Sequence, residues 1–169
     1  MKKLLFPLTL LAFFSCDDGD LQIETIDFDS ITTINACDTI KIDKENVLFK
    51  INDTEALILE LPVNLLVNES STDSTKSTIS SSGPSTLTYR TFSEKVSTDY
   101  FCSSIPITTP TVTEEIVAKT GTVHISTSTA DNITFTHEIT LNGVTFETSS
   151  NKRITDLTIS SYGKITTTN

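Results

Sequence analysis

Apolar residues in this chain recur at every second position in short runs, and that spacing limits the folds open to it. Leu57, Leu59 and Leu61 form one such run, and Leu87, Tyr89 and Thr91 alternate with Thr88, Arg90 and Phe92 in another. Val123 and Ile125 continue the pattern, followed by Ile133, Phe135, His137, Ile139 and Leu141. Successive side chains of a strand point to opposite faces, so a period of two predicts strands with one buried face. Composition agrees. Ser and Thr make up close to a third of the chain, alanine is scarce, and β-branched residues suit a pleated surface.

Weaker stretches extend the same reading. Ile23, Thr25 and Asp27 alternate against Glu24, Ile26 and Phe28, which predicts a first strand of ambiguous apolar face. Ile40 and Ile42 alternate with Lys41 and Asp43. After a turn at Lys44-Glu45-Asn46, Val47, Phe49 and Ile51 alternate with Leu48 and Lys50. Pro62 ends the run at Leu61, since proline cannot donate to a ladder. Leu65-Leu66-Val67 closes the N-terminal half. Val96 to Cys102 reads as a short strand, Ser103 to Pro110 as a proline-punctuated connection, and Thr113 to Lys119 as at most a turn or two of helix. Asn142-Gly143 is the strongest hairpin signal, because both residues accept the positive φ of a type I′ turn. A two-residue loop there predicts Leu141 opposite Val144 and Ile139 opposite Phe146. Ile154, Leu157 and Ile159 follow, and Tyr162-Gly163-Lys164 turns the chain into a last edge segment.

Between the halves, Asn68 to Ser85 is almost entirely Ser, Thr, Asp, Asn, Gly and Pro, with Ile79 the apolar residue near its middle. It predicts a long surface loop that adds little to a core. The expectation is an all-β, single-domain β-sandwich of about nine to eleven short, mostly antiparallel strands. It occupies 22–169 and carries the Ser/Thr-rich loop at 68–85.

The first residues predict an address. Met1-Lys2-Lys3 is a positive n-region, and Leu4 to Phe14 is apolar without a charge or glycine. At about 11 residues the run is short of the roughly 20 that span a bilayer as a helix, so it reads as a signal-peptide core. Ser15 is the small residue before a cut and Cys16 follows, which resembles a lipobox. It departs from the usual pattern at Phe13 and Phe14. The expected organisation is a signal peptide at 1–15 and a lipidated Cys16 with an acidic tether at 16–21. The alternative is ordinary secretory cleavage that leaves Cys16 as a free thiol.

Three cysteines are an odd number for an oxidising compartment. A lipid on Cys16 leaves Cys37 and Cys102 as one even pair, so a Cys37–Cys102 disulfide is expected of an exported chain. The alternative is two buried thiols that never meet.

The formal net charge is −10, and loss of Lys2 and Lys3 with a leader makes it more acidic still. Nucleic-acid phosphates need a basic footprint, so nucleic acid is excluded as a partner. Electrostatic docking on anionic lipid is equally disfavoured, which leaves acyl chains to hold the membrane. Asp17, Asp18 and Asp20, next to the lipidated position, lack the Asp-x-[Asp/Asn]-x-[Asp/Asn]-Gly order of a calcium loop. They look like the export signal of surface lipoproteins in Bacteroidetes-type bacteria; the alternative is a solvated tether.

The leader through Asp20 carries a wider likeness together with Thr88-Tyr89-Arg90, Tyr100-Phe101-Cys102, Ile105-Pro106, Glu114-Glu115 and Gly121-Thr122-Val123. In these segments the chain resembles a group of uncharacterised flavobacterial-type surface lipoproteins. The resemblance implies the cell surface as address and implies no chemistry.

Catalytic signatures are sparse. With two histidines and no Gly-x-Ser-x-Gly elbow, Ser-His-Asp hydrolysis has little to draw on. Cys-x-x-Cys and His-Glu-x-x-His spacings are missing, and no tryptophan offers a sugar platform. His137, in phase with Phe135 and Ile139, is expected at the core rim with a satisfied ring nitrogen. If the Asn142-Gly143 hairpin forms, Glu138 faces Glu147; if the preceding loop centres on Asp131, His124 faces Glu138. That row of His124, Glu138 and Glu147 is the one candidate cation site, against three solvated side chains. Asp29-Ser30-Ile31, Asp38-Thr39-Ile40 and Asp73-Ser74-Thr75 resemble Bacteroidetes-type O-glycosylation sites. Asn52, Asn68 and Asn132 head Asn-x-Ser/Thr sequons of little meaning in a bacterial chain.

The function expected is a non-enzymatic, lipid-anchored binding or structural module at the outer membrane, without cofactor and with a protein or glycan partner. The competing expectations are a periplasm-facing accessory subunit of an envelope complex and a small hydrolase with an unrecognised site.

Overall fold

The computed structural model describes residues 25–148, 153–154 and 156–168. Among these the chain forms eleven strands and one short helix. The strands are β1 (Thr25–Asp27), β2 (Asn46–Asn52), β3 (Glu55–Leu61), β4 (Thr75–Thr78), β5 (Thr86–Phe92), β6 (Val112–Val117), β7 (Thr120–Thr129), β8 (Thr134–Glu147), β9 (Arg153–Ile154), β10 (Asp156–Thr158) and β11 (Ser161–Thr168). Helix α1 (Thr98–Cys102) lies between β5 and β6. One sheet runs β2-β3-β5-β6 and another β11-β8-β7-β4 with β9 also on β8, while β1 and β10 pair in parallel. The fold is all-β and sandwich-like, as the period-two runs predict.

The main core lies between the sheets. Leu57, Leu59 and Leu61 of β3 and Leu87 and Tyr89 of β5 meet Val123 and Ile125 of β7 and Ile139 and Leu141 of β8. Ile26 and Phe28 close one end. A second, smaller cluster forms on the other face of the β2-β3-β5-β6 sheet from Phe49, Ala56, Ile58, Phe92 and Val96. Two-sided burial explains why Ala56-Leu57-Ile58-Leu59 is apolar without interruption.

Several sequence expectations are corrected, among them the turn at Tyr162-Gly163-Lys164, which lies inside β11. The Asn142-Gly143 hairpin does not exist: β8 runs straight through both residues. Thr120 pairs with Thr145 and Thr122 with Asn142, so one extra residue on β8 makes a bulge, with Gly143 at φ +62. A Gly in the left-handed region is the mark of a G1-type bulge. The reversal lies earlier, between β7 and β8, where Asn132 takes φ +57 and the Asp131 carboxylate accepts from the Ile133 and Thr134 amides.

The Ser/Thr-rich segment 68–85 is not simply a loop. It contains β4, which pairs with β7, and an Ile79–Ser85 bridge. Ile79 is fully buried in the main core, and the buried hydroxyls of Ser77 and Ser85 bond each other at 2.7 Å. Hydroxyls paired in this way let a polar segment line a core. Ile40 and Ile42 form no strand, although both pack against the core from an irregular segment held by the Asn46 side chain. Val96 to Cys102 gives α1 rather than a strand, and Thr113 to Lys119 falls largely in β6 rather than in a helix.

Candidate functional site

Cys16, Asp17, Asp18 and Asp20 lie outside the described residues. Cys37 and Cys102 form a disulfide with Cα atoms 5.0 Å apart, as expected from parity. It joins the segment between β1 and β2 to the end of α1. Tyr100 and Phe101 of that helix lie over the second cluster: Phe101 sits 4.4 Å from Phe49, and Tyr100 meets Phe92 edge-on at 4.9 Å.

The proposed row of His124, Glu138 and Glu147 is not formed. Glu138 and Glu147 belong to one strand, and the β7–β8 register places Thr140, not Glu138, opposite His124. The reversal is centred on Asn132 rather than Asp131, which displaces the pairing by two residues. Glu138 has Ser126 on one side and Lys164 on the other, with its carboxylate 3.6 Å from the Lys164 ammonium. Glu147 is ion-paired with Lys119. Each acid already has a cation, which removes the electrostatic motive for a metal. No group of three His, Cys, Asp or Glu side chains among the described residues could hold one.

His137 is completely buried, deeper than the core rim, and both ring nitrogens are bonded. Nδ1 lies 2.9 Å from Thr127 Oγ1, and Nε2 lies 2.7 Å from Thr167 Oγ1. The Thr167 hydroxyl donates to Asn68 Oδ1, so its oxygen accepts from Nε2–H. Burial pushes the imidazole pKa below its ordinary value, which favours the neutral ring in which Nδ1 is the acceptor.

Thr127 also opens onto a surface groove of about 320 Å³. Ile125 and Val67 supply its apolar floor, Ser71 and Thr75 its hydroxyls, and Glu69 and Asp73 its carboxylates. Segment 68–85, the supposed loop, builds most of the wall. The groove offers acceptors and hydroxyls, so it suits a neutral or cationic polar ligand rather than an anion. His137, behind Thr127, is committed at both ring nitrogens. In sequence, Glu69 to Thr75 and Ile125 and Thr127 carry no signal of their meeting, because it is the β4–β7 pairing that brings them together.

Lys50 is the other residue that the pattern hid. It lies fully buried in β2 on the main-core face, its ammonium donating to the carbonyl oxygens of Phe28 at 2.8 Å and Ser161 at 3.1 Å. The Tyr162 ring lies beneath it at 5.3 Å. Burial lowers its pKa, against the attraction of Asp29 and Asp27. With both bonds made to backbone, the amine acts as a staple between β2, the chain after β1 and β11.

Comparison with known proteins finds no match to this chain among protein-family models, curated proteins or solved structures.

Proposed function

We propose that this chain is a lipid-anchored lipoprotein of the outer membrane, displayed at the cell surface as a non-enzymatic binding or structural module. The observation that carries the reading is the Cys37–Cys102 disulfide. The chain has three cysteines, and pairing these two leaves Cys16 as the remaining one, directly after an apolar leader and Ser15. Disulfides persist in exported proteins, which agrees with the leader. The acidic residues Asp17, Asp18 and Asp20 support surface export, and acyl chains supply the membrane affinity that an acidic body does not. The groove beside Thr127, lined by Glu69, Asp73 and serine hydroxyls, is where a protein or glycan partner with hydrogen-bond donors would be held.

The test is metabolic labelling with radioactive palmitate in a host that processes lipoproteins. Label is expected in the wild-type chain and absent from Cys16→Ala, which should be recovered soluble or unprocessed. Unchanged membrane retention of that variant would sink the anchor. Protease added to intact cells then decides the facing: degradation marks the surface, whereas protection favours a periplasm-facing accessory subunit.

A further inference from the structure

We propose that Ser93–Thr111 is a redox-released strap, which leaves the outer face of the β2-β3-β5-β6 sheet when a dithiol cleaves Cys37–Cys102, while the sandwich stays folded. The two hydrophobic clusters are the first argument. The main core uses the inner face of this sheet, through Leu57, Leu59, Leu87 and Tyr89. The strap covers only the outer face, where Val96, Tyr100 and Phe101 pack on Phe49, Ala56, Ile58 and Phe92. Loss of the strap removes no residue from the main core.

The strap also has little to hold it apart from the disulfide. Helix α1 has five residues, no side-chain bond at its Ser97 cap and no buried residue. Helices below about 12 residues are marginal without tertiary contacts. Its neck is closed by Ser93 N–H to Thr111 O at 2.9 Å and Thr111 N–H to Ser93 Oγ at 3.0 Å, bonds that survive opening of the loop beyond them. Between neck and disulfide, the backbone bond to the sheet is Val96 N–H to the Asp53 carbonyl at 3.0 Å. The Cys37–Cys102 bond therefore fixes a segment otherwise held by ring contacts, the Val96 bond, an exposed Lys95–Asp53 ion pair and a 3.5 Å bond from Thr98 Oγ1 to Asn35 Oδ1.

The cleavage is ordinary thiol–disulfide exchange. Cys37 is the more exposed residue of the pair, so attack is written at its sulfur. A thiolate of the dithiol attacks Cys37 Sγ, the S–S bond breaks, and Cys102 Sγ leaves with the electron pair and takes a proton from water. The second thiol of the reductant resolves the mixed disulfide and frees the Cys37 thiol. The cystine gains two electrons and two protons, and the dithiol ends as its own disulfide.

Hydrogen exchange of the full chain with and without dithiothreitol tests the proposal, with thiol counting to verify reduction. The amides of Val96, Tyr100 and Ser103, which bond Asp53, Ser97 and Asp99, are expected to exchange at least ~tenfold faster after reduction. Those of Ile125, Ile139 and Leu141 should not change, and trypsin should cut after Lys95 faster by a similar factor. Unchanged protection of the strap overturns the proposal. So does equal loss in β7 and β8, which would make strap and sandwich one cooperative unit. The Cys37→Ser/Cys102→Ser double variant should show the open strap without reductant and no further response to dithiothreitol. Failure of that variant to fold would also count against separability.

Discussion

The Lys50 ammonium donates a 2.8 Å hydrogen bond to the carbonyl oxygen of Phe28, a buried residue just after β1. A second bond reaches Ser161 at the start of β11, so one side chain ties three parts of the sandwich. Lysine is almost never fully buried unless its charge is met, and here two carbonyls and an aromatic face meet it.

Lys50→Met keeps the length of the side chain and removes the donor. The carbonyls of Phe28 and Ser161 then lose it, and a loss of about 1–3 kcal/mol is expected. Lys44→Met, at an exposed position, should stay within about 0.5 kcal/mol of wild type. Urea unfolding of both variants at equal slope makes the comparison. Equal effects would mean that the staple adds no more than a surface lysine.

His137 predicts a pH dependence whose sign follows from its burial. The ordinary imidazole value is 6.5, and desolvation lowers that of the folded ring. Between the two values the unfolded chain binds a proton that the folded one refuses. Stability is therefore full above about pH 6.5 and falls as pH drops toward the folded value, below which this component is flat. In His137→Gln this component vanishes, while everything common to the two proteins cancels in the difference. Denaturant melts between about pH 7.5 and 5 measure it. Parallel curves for the two proteins would rule out His137 as the source.

Strand identity was legible wherever one face is buried and the other wet, as at β5, β7 and the first half of β8. It was obscured where both faces are covered. In β2, Phe49 packs under α1 while Leu48 and Lys50 face the sandwich interior, so polarity there does not report direction. Segment 68–85 was misread for the opposite reason. Its strand β4 lies at the edge of its sheet, and hydroxyls that bond each other look the same in sequence as hydroxyls that bond water. The α1 strap was misread because the sheet face beneath it, not local propensity, fixes its conformation. The disulfide was legible from parity, whereas the groove was not, since its residues come together only through the β4–β7 pairing.

Ile79 turns that misreading into a test. As the apolar residue of a surface loop it would tolerate truncation, but it is fully buried in the main core and its amide bonds the Gly121 carbonyl. Ile79→Ala is expected to cost about 2–5 kcal/mol, the range for large aliphatic side chains in a core. Thermal and urea unfolding would show it. A loss of a few tenths would return the segment to the status of a loop.

Gly143 gives the last prediction, and the correction to β8 changes its basis. Apolar positions switch phase along this strand, from Phe135, Ile139 and Leu141 to Phe146, and a tight turn would produce such a switch. A one-residue bulge does the same without reversing the chain, because the extra residue carries the following side chains to the other parity. Gly143 holds that bulge at φ +62, and a Cβ added there meets nothing within 4 Å. The obstacle to substitution is therefore conformational, not steric. Gly143→Val, β-branched and disfavoured at positive φ, is expected to lose on the order of 1–3 kcal/mol. Gly143→Asn should lose markedly less, because asparagine visits the left-handed region. Ser81→Val, at an exposed turn, should change stability by a few tenths of a kcal/mol. The order Val worse than Asn, with Ser81→Val near neutral, supports the bulge. Equal losses for Val and Asn would mean that the site is crowded rather than strained, and near-neutral Val would mean that the register shift between Thr120 and Thr122 does not depend on Gly143.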